Sequence, residues 1–203
     1  VEDNEYREEP RMTASAIGFQ ASLDDVAVVV LGRQAGEGKD RHVENDFELS
    51  ATERELLENL SKAYHARGKR VVVILNVGGV VETASWKHLV DAIVLPWSPG
   101  QEGANAVADI LTGKVNPSGK LPMTFPYNFL DIPSSADFPY DYDPESPYHA
   151  KENVDFTVYG EDIWVGYRYF QTKGAEVSYP FGFGLCAFDH LVGSFSGALF
   201  DMS

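Results

Sequence analysis

The feature that most constrains the fold of this chain is a series of three apolar segments separated by helical patterns. These segments are VAVVVLG (26–32), RVVVILNVG (70–78) and DAIVLPWSPG (91–100). The first two are continuous in β-branched residues, which is typical of strands buried on both faces of a mainly parallel sheet. Parallel neighbours need a crossover, usually a helix. The alternating order therefore predicts an α/β fold, a three-layer sandwich with a mainly parallel sheet flanked by helices.

The helical segments carry recognisable start and stop signals. Ser50 stands three residues before Glu53, which predicts a capping box, and apolar residues keep helical spacing from there to Gly68. A second helix is expected from Gln101 to Leu111, and a short one in TASWKHLV. Three aromatic segments near the end of the chain predict short strands or a hairpin: FTVY, IWVGYRYF and EVSYPFGFG.

Charge and composition exclude several classes of function. The chain has 203 residues, and its 16 Lys and Arg against 31 Asp and Glu give a formal net charge of −15. Binding to nucleic acid or to anionic lipid depends on clustered cations, so neither is expected as a partner. The longest apolar run, Val26 to Leu31, is far too short to span a membrane.

The single cysteine, Cys186, permits no internal disulfide and no cysteine-based zinc site. The chain also shows no secretory signal at its start. These features slightly favour the cytoplasm and leave the compartment open. Three regions are expected along the chain: an acidic surface arm over 1–22, the α/β sandwich over 23–190, and the start of a downstream segment over 191–203.

Ligands of open parallel sheets bind beyond the carboxyl ends of the strands, so the loops that follow the three strands are the candidate site. In the longest of them Glu37 lies between Gly36 and Gly38. Two glycines allow the backbone to present a carboxyl group on a projecting loop. On residue type alone, a solvated surface glutamate remains the more ordinary interpretation.

Four blocks of sequence change that interpretation. From residue 25 onward the chain resembles the C-terminal α/β-sandwich domain of glycoside hydrolase family 3, the family of many β-glucosidases and β-xylosidases. The blocks match in order and spacing, and the second is highly specific. They are VAVVVLGRQAGEGKDR, WSPGQEGANAVADILTGKVNPSGKLPMTFP, YGEDIWVGYRYF and YPFGFGL.

The resemblance implies a role for the GEG-x-DR loop. In relatives its glutamate is the general acid/base of a retaining, exo-acting β-glycosidase, and the matching position here is Glu37. The neighbouring Gln34 and Lys39 are expected to contact the substrate. The family's nucleophile is an aspartate on a separate (β/α)₈ barrel, which nothing in these residues resembles. The resemblance therefore implies half of an active site, with the barrel as its partner and a glycoside as substrate, and a chain inactive by itself.

Two departures from the family pattern bear on these expectations. Lys39 occupies a position where relatives often carry an aromatic residue that flanks the leaving-group sugar, so an aromatic platform is lost. The family domain also has earlier strand-helix units before the strand that leads to the glutamate. Without them, an incomplete copy of the domain is expected to expose a strand edge or an apolar sheet face.

Other chemistry finds little support. The glycine spacing fits neither a dinucleotide fingerprint nor a phosphate loop, and the five histidines lack metal-ligand spacing, so no cofactor and no metal is expected. Trp97 is interpreted as a core residue beneath the third loop rather than a sugar platform. The alternatives in other classes are a non-catalytic carbohydrate-binding or assembly module with the same fold, and a flavodoxin-like nucleotide-binding domain.

Overall fold

The computed structural model describes residues 11–33, 41–136 and 159–185. From the first strand to the helix after the third strand, the helices and strands within these ranges follow the predicted order, with a 3₁₀ turn at Lys87–Leu89 where a short helix was expected. They are α1 (Ala14–Leu23), β1 (Val26–Gly32), α2 (Ala51–His65), β2 (Arg70–Asn76), β3 (Ala92–Val94), α3 (Gly103–Leu111) and α4 (Tyr167–Lys173). No helix within these ranges has the length and apolar character that crossing a bilayer requires.

The three strands form one parallel sheet in the order β1-β2-β3, which confirms the predicted α/β class. The central strand β2 separates two apolar layers. On one face Val71, Val73 and Leu75 pack in a core cluster to which α1 and α2 contribute. On the other face Val72 and Ile74 pack with side chains of β3 and α3. The sheet therefore lies between two helical layers, as expected for a three-layer sandwich.

Strand β1 differs from its prediction, because only one of its faces is covered by the described residues. Val26, Val28 and Val30 are 45%, 49% and 52% exposed. Val72 and Ile74, the register neighbours of Val28 and Val30 on β2, are buried and pack with side chains of α3, whereas Val28 and Val30 themselves stay exposed. Among the strands that the structure describes, β1 is also the edge of the sheet. An apolar sheet face and edge are thus exposed, as expected for an incomplete copy of the domain.

Helix α1 corrects the expectation of a surface arm for the part of 1–22 that the structure describes. Thr13 caps the helix by accepting a hydrogen bond from the Ala16 amide, and Ile17 and Ala21 are fully buried in the main core. Two apolar side chains four residues apart suffice to dock this helix. Residues 14–22 are therefore part of the folded body, whereas residues 1–10 lie outside the described ranges.

The C-terminal aromatic segments also differ from prediction. IWVGYRYF leads into α4 instead of forming a strand, with Gly166 at φ 55° before the helix and Gly174 at φ 63° after it. Its β-branched and aromatic residues were a weaker signal than the flanking glycines. EVSYPFGFG pairs with the LPMTFP segment through an antiparallel bridge between Phe125 and Tyr179. FTVY falls at 156–159, where only Tyr159 is described.

The amino-terminal edge of the sheet is held by Asp91, which precedes β3. Its carboxylate accepts hydrogen bonds from the Val71 amide (2.8 Å), the Arg70 guanidinium (2.6 Å) and His65 Nε2 (2.9 Å). Burial by itself would raise the pKa of Asp91, but these hydrogen bonds together outweigh burial and lower it. The ionised carboxylate therefore links α2, β2 and β3.

We predict that this link weakens in acid. A lowered carboxyl pKa stabilises the fold above the ordinary pKa of 3.8, and this stabilisation is lost as the pH falls through the folded-state value. Asp91→Asn should lower the free energy of unfolding by about 1–3 kcal/mol at pH 7 and by less near pH 3. Urea unfolding at both pH values measures this, with the exposed Asp25→Asn as control. An equal loss at both pH values would contradict the assignment.

We also predict that the exposed face of β1 drives self-association of the isolated chain. Val28→Thr together with Val30→Thr keeps β-branched side chains but makes the face polar, so the double variant should elute as a smaller species by size-exclusion chromatography with light scattering. Val73→Thr is the matched control, because the same change at a fully buried position should destabilise the fold. Unchanged association of the double variant would exclude this face as the cause.

Candidate functional site

The carboxyl edge of the sheet gathers the three loops in which the sequence places the candidate site. The chain passes from β1 to α2 through residues 33–50, from β2 towards β3 through 77–91, and from β3 to α3 through 95–102. The predicted site residues Gln34, Glu37 and Lys39 all lie in 34–40, outside the described residues. The structure describes both flanks of this segment, and both flanks are firmly held.

Arg33 holds the first flank. Its side chain is only 4% exposed and forms a bidentate ion pair with Glu53, which is 3% exposed: Nη1 lies 2.7 Å from Oε1 and Nη2 lies 3.0 Å from Oε2. Glu53 also completes the predicted capping box of α2, accepting from the Ser50 amide at 2.8 Å. The end of β1 is therefore fixed to the beginning of α2, and loss of either charged partner would leave the other buried and unpaired.

Arg41 holds the second flank. Its Nη2 and Nε donate to Asp46 Oδ1 at 2.6 and 2.9 Å, and Nη2 also donates to the Asp46 carbonyl. Arg33 Nε donates to that same carbonyl at 2.7 Å, so both flanks converge on Asp46. We call these three residues, Arg33, Arg41 and Asp46, the loop clamp. Asp40, the acidic residue that precedes Arg41 in the sequence, lies outside the described residues.

A tight turn over Val43–Phe47 brings Asp46 into this position. Asn45 takes a left-handed conformation with φ 61°, which asparagine tolerates better than most residues. The Asp46 Oδ2 atom then accepts from the His42 amide at 3.2 Å. Phe47 is buried and meets Phe129 edge to face, with ring centroids 5.7 Å apart. The turn is thus fixed by its own backbone bonds and by packing.

The second loop is tied to the same clamp. Arg41 Nη1 donates to the Val80 carbonyl at 2.9 Å. A side chain at Gly79 would bring a Cβ within 3.0 Å of that nitrogen, so glycine allows the guanidinium its close approach. The Glu82 amide donates to the Phe47 carbonyl at 2.7 Å. The loops after β1 and β2 therefore form one hydrogen-bonded unit at the carboxyl edge.

The packing of Trp97 in the third loop confirms that it is a core residue. It is half-buried, packs against the main core and lies with its ring centroid 6.2 Å from that of Phe125. Its φ of 59° is unusual for a bulky residue. Packing over Phe125 offsets this strain, and the backbone is set for the Pro99-Gly100 turn that leads into α3.

Two carboxyl groups lie beside the clamp. Partial burial, with the negative charges of Glu44 and Glu82, raises the pKa of Glu48. Glu82 is buried and accepts from the Ser85 amide at 2.6 Å and from the Ser85 hydroxyl at 2.7 Å. Within the described ranges no group of three His, Cys, Asp or Glu side chains could hold a metal ion.

Sequence reasoning proposed the loop and its glutamate as candidates, but it gave no role to Arg33 or Asp46, which hold the flanks of the loop. Arg33 was part of a quoted motif without a role, and Asp46 carried no local signal beyond its position after the turn-forming Asn45. The pairing of Arg33 with Glu53 joins residues 20 apart in sequence, so it depends on how α2 docks on the sheet.

Comparison with known proteins identifies the family. The family model described as the glycosyl hydrolase family 3 C-terminal domain matches residues 11–186. The chain belongs to glycoside hydrolase family 3. This family assignment confirms the resemblance carried by the GEG-x-DR loop and the three blocks that follow it.

Among curated relatives, β-glucosidase A of Butyrivibrio fibrisolvens is 37% identical over 201 residues, covering 87% of this chain and 23% of the relative. An exo-α-(1→6)-L-arabinopyranosidase of Bifidobacterium longum is 34% identical, with 87% and 21% covered. The chain thus spans less than a quarter of the length of these two enzymes, and the sugars named for them differ.

Solved structures agree with the fold. β-Glucosidase 3B of Thermotoga neapolitana aligns with a TM-score of 0.76 and 44% identity, over 91% of this chain and 26% of that one. A β-glucosidase of Paenibacillus barengoltzii aligns with a TM-score of 0.75 and 34% identity, covering 89% and 18%. This family 3 chain therefore has the fold of a segment of larger glycoside hydrolases.

We predict that Asp46 is the residue on which the clamp depends. Asp46→Ala should remove the carboxylate that accepts from Arg41 Nε and Nη2 and from the His42 amide, lowering the free energy of unfolding by about 1–3 kcal/mol. Hydrogen exchange should accelerate chiefly at the Phe47 and Glu48 amides, which close the turn.

The exposed Glu44, in the same turn, supplies the matched control. Glu44→Ala should change neither quantity appreciably, because its side chain is solvated. An Asp46→Ala variant whose turn amides exchange as slowly as in the unmodified chain would contradict the assignment.

Proposed function

We propose that this chain is the part of a retaining, exo-acting β-glycosidase that supplies the general acid/base, and that Glu37 is this acid/base. A (β/α)₈ barrel of the same enzyme would supply the nucleophile. The expected substrates are short β-linked glucosides or related sugars, cleaved from the non-reducing end. The observation that carries the proposal is the family 3 match over residues 11–186, which includes the GEG-x-DR loop.

The chemistry of retention explains why a glutamate on a loop suits this role. Retaining hydrolysis needs two carboxyl groups about 5–5.5 Å apart, one as nucleophile and one to protonate the departing oxygen. A glutamate with an ordinary pKa of about 4.3 must have its pKa raised to roughly 6 to act as an acid near neutrality. Exclusion of water by the bound sugar and a nearby carboxylate can produce that increase.

The loop clamp supports this proposal. Arg33 and Arg41 bracket the segment that contains Glu37, and both guanidinium groups donate to Asp46. An acid catalyst must be placed within hydrogen-bonding reach of the oxygen that it protonates. Fixing both flanks on one turn restricts where the intervening residues can reach, which reduces the entropy lost when the site assembles.

The exposed face of β1 and the length of the relatives support the need for further polypeptide. A parallel sheet is normally covered on both faces, and this one leaves Val26, Val28 and Val30 exposed. The segment matched in Thermotoga neapolitana β-glucosidase 3B is only 26% of that protein. We therefore expect the chain alone to be inactive.

The test is a chimera in which this chain replaces the matched segment of Thermotoga neapolitana β-glucosidase 3B. Glu37→Gln should depress hydrolysis of glucosides with poor leaving groups by a factor of about 10²–10⁴, the usual contribution of general acid catalysis. Activated aryl glucosides, which need little protonation, should be affected much less. Added azide should restore turnover on the activated substrates, because it attacks the glycosyl-enzyme without a general base.

A matched control comes from Glu58, an exposed glutamate on α2. Glu58→Gln should leave both substrate classes unaffected. Equal rates for the Glu37→Gln chimera and its parent on both substrate classes would reject Glu37 as the acid/base. An active parent chimera is the internal control, since it shows that the barrel and this chain assemble.

Lys39 and Gln34 are proposed as substrate contacts on the same segment. Lys39 stands where an aromatic platform is common in relatives, so we expect weak selection of the leaving-group sugar. Introducing the aromatic residue by Lys39→Tyr in the chimera tests this. A lowered KM for disaccharides with unchanged KM for aryl glucosides is the expected result.

A further inference from the structure

Three side chains at the amino-terminal edge of the sheet form a hydrogen-bonded chain that the proposed glycosidase chemistry does not use. Ser61 and His65 lie four residues apart on α2, so they share one face of the helix. Ser61 Oγ lies 3.1 Å from His65 Nδ1, and His65 Nε2 lies 2.9 Å from Asp91 Oδ2. A serine, a histidine and a carboxylate in this order are the components of a nucleophilic triad, which is recognised by geometry and not by sequence position.

The sequence around these residues carries no local signature of such a site. Ser61 lies in the helical segment ENLSKAYH, whereas a hydrolase nucleophile elbow has the pattern G-x-S-x-G between a strand and a helix. Asp91 is 26 residues beyond His65 and directly precedes β3. The three side chains therefore meet only because α2 docks beside the beginning of β3.

The hydrogen-bond partners of His65 fix its tautomer. An ionised carboxylate only accepts hydrogen bonds, so the contact with Asp91 places the ring proton of His65 on Nε2. In the neutral ring the other nitrogen, Nδ1, is then an acceptor, and the Ser61 hydroxyl donates to it. The serine proton is thus already directed at the nitrogen that would remove it, as general base catalysis requires.

Asp91 is held in the orientation that this arrangement needs. Its carboxylate also accepts from the Val71 amide at 2.8 Å and from the Arg70 guanidinium at 2.6 Å. Partial burial opposes ionisation of Asp91, but its hydrogen bonds together outweigh burial and lower its pKa. The ionised carboxylate is therefore a positioning residue, which orients the His65 ring and stabilises the positive charge that the ring gains with a second proton.

The exposure of the site and its position on a helix select the class of substrate. The His65 side chain is 39% exposed and Ser61 is half-buried, so a small molecule can reach both. The amides around Ser61 belong to α2 and are used in helical hydrogen bonds, so they cannot form an oxyanion hole. Acyl donors with a good leaving group, such as aryl esters, depend least on that stabilisation. Small aryl esters are therefore the substrates that fit this site.

We propose that Ser61, His65 and Asp91 form a surface site that hydrolyses small activated esters. Ser61 Oγ forms a bond to the acyl carbon while its proton passes to His65 Nδ1. The bond between the acyl carbon and the aryl oxygen breaks, and the departing oxygen takes the proton from His65, which leaves an acyl-serine and a phenol. Water then attacks the acyl carbon, and His65 removes a proton from the water and returns one to Ser61 Oγ. The acyl–serine bond breaks and a carboxylic acid is released.

The experiment incubates the full 203-residue chain with p-nitrophenyl acetate and follows the release of p-nitrophenol by absorbance. Ser61→Ala and His65→Gln should each lower the rate by about 10²-fold, the lower end of the usual contribution of a positioned general base. The double variant should lose no more than either single variant, because the two side chains act as one unit. Peptide mass spectrometry of the reacting chain should find the acetyl group on Ser61.

Exposed residues of the same two types supply the matched controls. Ser22→Ala on α1 and His88→Gln in the 3₁₀ turn before β3 should leave the rate unchanged, since neither side chain belongs to the hydrogen-bonded chain. Circular dichroism and urea unfolding check that the Ser61 and His65 variants fold, which their half-buried and exposed positions favour.

Two results would overturn the proposal. A rate that is unchanged in Ser61→Ala but lost in His65→Gln would make the imidazole itself the nucleophile. Equal rates for the unmodified chain and the double variant, or acetylation confined to residues other than Ser61, would show that the hydrogen-bonded chain performs no acyl transfer. Because the assay requires neither Glu37 nor a barrel, its outcome is independent of the proposed glycosidase function.

Discussion

The buried ion pair between Arg33 and Glu53 is the interaction on which the carboxyl edge of this domain depends. It joins the residue that follows β1 to the first turn of α2, and both side chains are almost inaccessible to water. Because α2 packs on one face of the sheet, the pair also fixes the position at which the loop after β1 leaves the strand. A buried charged pair adds less net stability than a well-packed apolar pair of similar volume would. Its main effect here is therefore to fix the geometry of the loop.

Asp46 connects this ion pair to the rest of the carboxyl edge. The Asp46 carbonyl accepts a hydrogen bond from Arg33, and the Asp46 carboxylate accepts one from Arg41. Arg41 also donates to the Val80 carbonyl of the second loop. Two loops that belong to different strand-helix units are thereby joined by hydrogen bonds. Under the proposed function, this arrangement holds the flanks of the segment that contains Glu37 in place.

The same domain leaves an apolar sheet face exposed among the described residues. The uncovered valines of β1 lie on the sheet face whose other half is covered by α3, and relatives in family 3 extend well beyond the matched segment.

How much could be predicted from sequence differed from element to element. The α2 capping box was predicted correctly because Ser50 and Glu53 are three residues apart and satisfy each other locally. The prediction that β1 is buried on both faces was wrong. A run of β-branched residues indicates that a strand is apolar, but not whether the element that would cover it is present. The helix α4 was also missed, because its aromatic residues resemble a strand when their glycine boundaries are given too little weight.

The sequence by itself determined the alternating α/β order, the capping signals and, through its motifs, the family and the glutamate proposed as acid/base. These are properties of local spacing and of short, specific segments, which need no knowledge of packing. Only the tertiary structure decided that Asp46 is shared by both flanks of the loop and that the described residues leave one face of β1 uncovered. Each of these joins residues distant in sequence, and such contacts depend on how helices dock on a sheet rather than on any local pattern.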